Sequence, residues 1–478
     1  MRTPWRTVDE WRVDVVPDRL RAILSEEVID LALRFSEAGH ELYLVGGSVR
    51  DALLDRDNSD LDFTTSARPD TIEDVGSTWA QSSYLAGRDF GTVGLVRSGT
   101  THEITTFRSE VYRDDSRKPR VTFSDNLSED LSRRDFTVNA MAMRIPLDPS
   151  EQPEMIDPFG GLVDLAAGKL VTPMDPEVSF GDDPLRMLRL FRFMSTLGFE
   201  ADPAALDAVV RMRDRLQIVS AERIQTEFDK LMTGDNVAVA LTALIESGLA
   251  EEFIPELPAL ALEQDPIHHH KDVLAHTIAV VAKTTPGDEK LRLRLAALFH
   301  DIGKPATREF AKGGVTFHHH EVVGARMARK RMKALKYPKD ITESVGQLVF
   351  LHMRPHTYKM GWTDSAVRRY VRDAGELLTD LNELVRCDVT TRNARRARAI
   401  ANRIDELEIR IAELGEKEEL NALRAPIDGN DVMTYLSLEP SRQVGDIMNM
   451  LLERRIEDGP YTPDEAYAML DEWKDQQS

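Results

Sequence analysis

The sequence has little cysteine, no long apolar run and no excess of positive charge. Its 478 residues include one cysteine, Cys387, so no disulfide can form within the chain. Such cysteine usage is typical of a protein in a reducing cytosol. No segment approaches the ~18 consecutive apolar residues that a membrane helix needs. Charges run through residues 1–25, so we expect no secretory signal peptide and predict a cytoplasmic protein that makes no membrane contact.

The net charge of −21 disfavours indiscriminate binding to nucleic acid, because phosphate contacts require positive charge. Basic residues nevertheless cluster in two segments. The first contains Arg326, Arg329, Lys330, Arg331, Lys333, Lys336 and Lys339, and the second contains Arg392, Arg395, Arg396, Arg398 and Arg403. Each cluster is either a solvated helix face or a local patch that binds RNA.

The chain is too long for a single hydrophobic core, and its 42% apolar content allows several. We predict an α+β protein in which a small mixed sheet with helices is followed by almost entirely helical segments. The predicted parts are an N-terminal arm (1–25), a mixed α/β head (26–165), a helical neck (166–255), a second helical domain (256–395) and a charged helical tail (396–478).

An acidic pair follows a glycine turn in the head. A predicted strand ends in Gly46 and Gly47, and a later strand contains Asp60 and Asp62. Because strand side chains alternate, the two carboxylates share a face and repel each other unless a cation lies between them. Mg²⁺ suits an all-oxygen site that also takes substrate phosphates. The glycines admit a triphosphate close to the backbone, and Arg50 in the following helix supplies a positive charge. The alternative is an ordinary Asp-x-Asp surface loop.

Three ordered motifs carry a resemblance to a known family. They are VGGSVRDALL with DLD (residues 45–54 and 60–62), RRDFTVNAMA (133–142) and GDDPLRMLRLFR (181–192). This set resembles the motifs of the class II tRNA nucleotidyltransferases and bacterial poly(A) polymerases, which belong to the polymerase-β-like superfamily. The resemblance implies a polymerase-β-like nucleotidyltransferase head followed by a neck that recognises the nucleotide. Asp182 stands where the usual motif has a glutamate.

The resemblance implies template-independent addition of C, C and A to the 3′ end of tRNA, from CTP and ATP and with release of pyrophosphate. It places Mg²⁺ on Asp60 and Asp62. Glu103 in a nearby strand is the candidate third carboxylate, and the alternative is an exposed strand glutamate. The implied nucleotide-binding residues are Gly46, Gly47, Arg50, Arg134, Asp183, Arg186, Arg189 and Arg192.

Base selection is expected from the neck motif. Asp183 and Arg186 are three residues apart and are expected to be neighbours on one helix. A carboxylate accepts from the exocyclic amine of cytosine or adenine, and a guanidinium donates to ring acceptors, so the pair would reject uracil and guanine. Arg192 is expected to contact phosphate or to brace the acid. The alternative is an exposed basic helix stripe.

Ten of the twelve histidines lie between residues 268 and 356, around the segment ALFHDIGK (297–304). This pattern resembles an HD domain, a helical metal-dependent phosphohydrolase fold, in the second helical domain. By resemblance, one divalent metal is bound by His276, His300, Asp301 and Asp388, and a second by His320 and His352. The ligands suit Mn, Fe, Ni, Zn or Mg. The domain is either a phosphatase or phosphodiesterase for damaged tRNA ends, or a relic that stiffens the tRNA-binding body.

Other functions stay open at this point. The chain could be a poly(A) polymerase, or add only CC or only A, although the polar segment 112–120 looks like the family's mobile loop and favours full CCA addition. It could also be a hydrolase with an inactive head, or a non-catalytic tRNA-binding protein. The tail could contact the tRNA elbow or a partner, and the sequence makes no prediction of oligomeric state.

Overall fold

The structure is a computed structural model of the chain. It describes residues 12–13, 20, 23–56, 60–85, 87–111, 120–148, 151–262, 272–311, 314–355, 358, 362–389, 394–418 and 424–477. Most of the polar segment 112–120, the histidines at 268–270 and Arg392 lie outside this range. The chain divides into two compact units, Met1–Pro258 and Ala259–Ser478. Within the described residues, no helix has both the length and the apolarity to cross a membrane.

The first unit is built on a mixed sheet. Its strands β1 to β12 are Arg12–Val13, Leu42–Val45, Asp60–Thr65, Ser82–Tyr84, Thr92–Arg97, Thr100–Thr106, Arg108–Val111, Arg120–Phe123, Ala142–Arg144, Glu154–Ile156, Lys169–Leu170 and Glu200–Ala201. Eight of them form one sheet in the order β1-β10-β9-β2-β3-β6-β5-β4. Only β3 and β6 run parallel there, and the other neighbours are antiparallel. Strand β1, which lies in the predicted N-terminal arm, thus joins the sheet at its edge.

Helices cover the sheet and form the neck. Helices α1 to α10 are Glu26–Glu37, Gly47–Leu53, Pro69–Ser77, Leu127–Ser132, Gly161–Ala167, Pro176–Asp182, Leu185–Leu197, Pro203–Met212, Ala221–Thr233 and Val237–Glu246. The first helix begins after Ser25, which accepts a hydrogen bond from the backbone of Val28, and its apolar face is buried. That face packs on the side of the β-sheet that also buries Phe63, and the acids of β3 project from the opposite side, which carries a smaller core around Tyr43 and Phe107.

The second unit is helical. Helices α11 to α20 are Val273–Lys283, Leu291–Phe299, His320–Ala334, Lys339–Leu351, Asp364–Ala374, Leu378–Asp388, Ala394–Glu418, Gly429–Leu436, Arg442–Asp458 and Pro463–Gln477. A short hairpin, β13 (Glu309–Ala311) with β14 (Gly314–Thr316), precedes α13. Helices α18 to α20 enclose their own core around Val432, Ile447 and Leu470. The predicted α+β class, with helical segments after the head, is confirmed.

Candidate active site and metal centre

The acidic pair lies on β3, on the side of the sheet away from the main core. Leu61 and Phe63 are buried in the core, while Asp60 is exposed and Asp62 is half-buried. Glu103 is directly opposite Asp62 in the neighbouring strand β6. Burial and the carboxylates of Glu103 and Asp60 raise the pKa of Asp62 to about 6, against the opposing charges of Arg134 and Arg50. Three carboxylates on one face fit a divalent cation with oxygen ligands, whose charge would relieve this repulsion.

The glycine turn closes over this acidic face. Gly46 has φ +66°, and a Cβ built there would lie 2.8 Å from Nη1 of Arg134 and 3.9 Å from Oδ2 of Asp62. A Cβ at Gly47 would also lie 3.9 Å from Asp62 Oδ2. A side chain at Gly46 would therefore be strained and would push Arg134 aside. The turn, Arg134 and Asp62 therefore meet at one point.

Arg50 lies inside the protein rather than in an open position. It is 7% exposed, and its guanidinium donates to both carboxylate oxygens of Asp51, at 2.8 and 2.7 Å. Its Nη1 donates to Oδ1 of Asn139, and the group stacks 5.0 Å from the ring centre of Phe193. Arg50 therefore ties the glycine turn to the second motif and to the neck, a contact that the sequence did not indicate.

Arg134 is held by an acid that sequence reasoning missed. Asp130 is fully buried and accepts from Arg133 Nη2 at 2.7 Å and from Arg134 Nη2 at 3.2 Å. Thr64 on β3 donates to the same carboxylate at 3.3 Å. Burial opposes a charge on Asp130, but the two arginines outweigh it and keep its pKa below the usual value. The spacing of three and four residues before Arg133 and Arg134 was the available signal.

A cavity of about 460 Å³ lies between the second motif and the neck. It is lined by Arg108, Arg133, Arg134, Asp135, Asp183, Leu185, Arg186, Arg189, Arg223, Thr226 and Glu227. Four of the predicted nucleotide-binding residues line this cavity, namely Arg134, Asp183, Arg186 and Arg189. Gly46, Gly47, Arg50 and Arg192 are not among its lining residues within the described chain.

The prediction that Asp183 and Arg186 share a helix was wrong. Helix α6 ends at Asp182 and α7 begins at Leu185, so Asp183 is an extended residue with φ −143° and ψ 102°. Pro184 explains the break, because a proline disfavours helical geometry in the residue before it. Asp183 Oδ1 accepts from the backbone of Leu185 at 3.1 Å, and Oδ2 accepts from Nη2 of Arg223 at 2.8 Å.

Arg186 is bonded elsewhere. It is 7% exposed and donates to the carbonyl and hydroxyl oxygens of Ser179, at 3.1 and 3.0 Å, and to the carbonyl of Arg133. These bonds fix its guanidinium at the wall of the cavity that Asp183 also lines. The two residues remain in one site, but they are placed there by separate elements.

Arg189 and Arg192 share one acid, Glu227 of α9. Arg189 Nη1 lies 3.0 Å from Glu227 Oε1, and Arg192 Nη1 lies 3.0 Å from Glu227 Oε2. Arg189 also lies 2.7 Å from Asp135, whose pKa stays well below the usual value because Arg189 outweighs the effect of burial. Arg192 thus braces an acid, but that acid is Glu227 and not Asp183. Asp135 and Glu227 were missed because only the fold brings them to these arginines.

The six predicted HD ligands form two adjoining groups in the second unit. They are His276, His300 and Asp388, and Asp301, His320 and His352. Asp301 contacts both groups, since its Oδ2 lies 3.2 Å from His300 Nε2 and its Oδ1 lies 3.4 Å from His320 Nε2. The sequence assigned Asp301 to the first group alone. Each group could hold a divalent metal through imidazole and carboxylate ligands, with Asp301 between the two.

Backbone contacts orient the imidazoles of this centre. The Nδ1 atoms of His300, His320 and His352 each donate to the carbonyl three residues earlier, at 2.8, 2.8 and 2.6 Å. Each ring therefore presents Nε2 to the centre, as metal-binding histidines do. Burial opposes charge on His300, but Asp301 and Asp388 outweigh it and raise its pKa to about 10. Burial and the charge of His300 lower the pKa of His352 to about 3.

The first basic cluster lies partly on α13, the helix that begins with His320. Arg326, Lys330 and Lys333 are exposed and, at spacings of four and three residues, lie on one side of the helix. Arg329 points elsewhere and pairs with Glu343 at 2.7 Å. An exposed positive face on an acidic protein is suited to a polyanion.

Family models match three parts of the chain. Residues 42–171 match the Poly A polymerase head domain, residues 198–260 match the probable RNA and SrmB-binding site of polymerase A, and residues 273–409 match the HD domain. The chain therefore has a nucleotidyltransferase head of the poly(A) polymerase type, followed by an HD domain.

Within that class the chain is similar to CCA-adding enzymes. It is 42% identical over 220 residues to the one from Anoxybacillus flavithermus, covering 46% of this chain and 53% of the relative. It is 40% identical over 276 residues to the one from Lactobacillus delbrueckii subsp. bulgaricus, covering 58% and 63%. These matches span between half and two thirds of the length of the relatives. They confirm the resemblance to class II tRNA nucleotidyltransferases that the motifs predicted.

Solved structures share the fold. The Bacillus stearothermophilus CCA-adding enzyme in complex with CTP has a TM-score of 0.67 at 24% identity, over 97% of this chain and 99% of that chain. The Thermotoga maritima CCA-adding enzyme in complex with tRNA has a TM-score of 0.57 at 15% identity, over 99% of both chains. The likeness extends over nearly the whole length of this chain.

Proposed function

We propose that the protein adds C, C and A to the 3′ end of tRNA from CTP and ATP. The observation that carries the proposal is the meeting of Asp62, Glu103, Arg134 and the Gly46 turn on one face of the head sheet. A carboxylate face beside a turn that tolerates no side chain is suited to a metal-bound triphosphate. Named relatives that carry out CCA addition support the same conclusion.

In the proposed reaction, the terminal 3′-oxygen of the tRNA forms a bond to the α-phosphorus, and the bond to the leaving pyrophosphate breaks. Asp60 and Asp62, with Glu103 beside them, would hold Mg²⁺, which when bound neutralises phosphate charge and activates the hydroxyl. Arg134, fixed by Asp130, would bind the phosphates. In the neck cavity, Asp183 would accept from the exocyclic amine of the base and Arg186 would donate to its ring acceptors.

The test is incubation of a tRNA that lacks its last three nucleotides with each labelled nucleoside triphosphate. We expect uptake of C and A that stops after three residues, and no uptake in Asp60→Ala. A long A tail would favour the alternative of a poly(A) polymerase, and arrest after CC or uptake of A alone would favour a partial enzyme. Uptake of U or G by the unmodified protein would contradict the roles given to Asp183 and Arg186.

We propose a second function for the HD centre, hydrolysis of phosphoesters at RNA ends with two divalent metals. The bridging position of Asp301 between the two ligand groups supports it. Arg326, Lys330 and Lys333 give α13, the helix that begins with His320, an exposed positive face that suits the phosphates of an RNA. Asp301→Ala should abolish this hydrolysis and leave nucleotide addition unchanged.

A further inference from the structure

Four residues lie in one row across the head sheet. Tyr84 on β4 is paired with Gly94 on β5, Gly94 is paired with Glu103 on β6, and Glu103 is paired with Asp62 on β3. Residues directly opposite each other in a sheet project from the same face. The row therefore begins at Tyr84 on the edge strand β4 and ends at Asp62 on the acidic face. Its second residue, Gly94, has no side chain.

The gap at Gly94 is filled by the ring of Tyr84. A Cβ built on Gly94 would lie 2.0 Å from the ζ-carbon of that ring, so the ring rests directly on the glycine backbone. The tyrosine thereby crosses β5, and its hydroxyl donates to Oε1 of Glu103 at 2.6 Å. A larger residue at Gly94 would block the contact.

We propose that Tyr84 is a positioning residue of the active site, which fixes one oxygen of Glu103 so that the other stays available to the cation shared with Asp60 and Asp62. The inference rests on the proposed nucleotidyl transfer, because it assigns Tyr84 to the metal of that reaction. A partner that hydrogen-bonds a metal-binding carboxylate limits its rotation and so favours metal binding. The sequence could not show this, since Tyr84 and Glu103 are joined only through the order of the strands.

The alternative is that Tyr84 only stabilises the sheet. Aromatic rings that cover a glycine in a neighbouring strand stabilise sheets through the ring alone. The hydroxyl of Tyr84 would then contribute nothing to metal binding. Tyr84→Phe separates the two roles, because it keeps the ring on Gly94 and removes only the donor.

The experiment measures nucleotide addition and direct Mn²⁺ binding to the head across a range of metal concentrations. The HD centre is disabled for these measurements by Asp301→Ala. For Tyr84→Phe we expect the metal concentration at half-maximal rate, and the Mn²⁺ dissociation constant, to rise roughly tenfold. The KM for CTP at saturating metal and the melting temperature should stay unchanged. Equal metal dependence in Tyr84→Phe and the parent protein would overturn the proposal.

Tyr43→Phe is the matched control. Tyr43 lies in the same sheet and donates to Oε2 of Glu41 at 2.6 Å, an equivalent bond to a carboxylate that is not one of the proposed cation ligands. Its loss should leave the metal dependence unaltered. If the parent protein added no nucleotide, the proposed function would fail, and the direct Mn²⁺ measurement would still decide the role of Tyr84.

Gly94→Ala gives a second, independent variant. Its methyl group would displace the ring of Tyr84, so it should weaken metal binding as Tyr84→Phe does. Because both changes remove the same contact, the double variant should be no weaker than Gly94→Ala alone. Additive losses in the double variant would contradict the proposed route from Tyr84 to Glu103.

Discussion

Asp183 and Arg223 form an ion pair at the neck cavity, with 2.8 Å between Oδ2 and Nη2. Arg223 projects from α9, and Asp183 lies in the extended break between α6 and α7. The other oxygen of Asp183 is held by the backbone of Leu185. The carboxylate that is proposed to read the base is therefore fixed before any nucleotide binds, which favours selective recognition.

Asp183→Asn should weaken discrimination against uracil. The amide can donate to a carbonyl, so it no longer favours the exocyclic amine of cytosine over the carbonyl of uracil. We expect the preference for CTP over UTP, measured as the ratio of kcat/KM values, to fall by roughly 10- to 100-fold. Asp182→Asn is the control, since Asp182 ends α6 and is not among the residues that line the cavity. Unchanged discrimination in Asp183→Asn would argue against base reading by this residue.

Asp62 should make nucleotide addition sensitive to pH near 6. Its pKa is raised to about 6, so the carboxylate takes up a proton as the pH falls through that value. The protonated form cannot hold Mg²⁺, and the rate should decline on the acidic side. Because Mg²⁺ and the proton compete, a tenfold higher Mg²⁺ concentration should move the midpoint down by up to about one pH unit. If the midpoint of the pH profile did not change with the Mg²⁺ concentration, the titrating group would not be Asp62.

The raised pKa of Asp62 also predicts that this residue destabilises the metal-free protein. A carboxyl whose folded pKa lies above its unfolded value contributes stability at low pH that is lost as the pH rises through about 6. At neutral pH with a chelator, Asp62→Asn should therefore raise the stability of the first unit, by about 1–3 kcal/mol. Its melting temperature should rise while nucleotide addition is abolished. Saturating Mg²⁺ should reduce this difference by stabilising only the unmodified protein.

Local sequence patterns predicted the residues whose placement depends on one strand or one turn. Alternation along β3 was enough to place Asp60 and Asp62 on one face, and the glycine pair marked the turn at Gly46. Tyr84 escaped prediction because its partner is set by the order of the strands, whereas Asp130 was missed although its spacing from Arg133 and Arg134 was a usable signal. The geometry of Asp183 was predicted wrongly, because helix periodicity was given more weight than the effect of Pro184 on the preceding residue.

Glu227→Gln should disturb the neck without touching the acidic face of the head. Glu227 is 6% exposed and is the shared partner of Arg189 and Arg192, which would be left with unbalanced positive charge. Removing one member of such a buried network costs about 3–5 kcal/mol. We expect a lower melting temperature of the first unit and a higher KM for CTP and ATP. Glu222→Gln, on the exposed side of the same helix, is the control. If both variants had the same melting temperature and the same KM values, Glu227 would not stabilise the neck.

The HD centre should lose its metals in a pattern set by Asp301. In an Asp62→Asn background, which removes the head site, we expect about two Mn²⁺ ions per chain after reconstitution. Asp388→Ala should remove the ion that is bound by the group of His276 and His300. His352→Ala should remove the ion that is bound by the other group. Asp301→Ala should remove both ions, because Asp301 contacts both groups. Metal content per chain and hydrolysis of an RNA 3′-phosphate are the readouts.

Retention of one ion in Asp301→Ala would show that Asp301 belongs to a single group, as the sequence alone had indicated. Nucleotide addition by Asp301→Ala with Asp62 intact should match that of the unmodified protein, since the two centres serve different reactions.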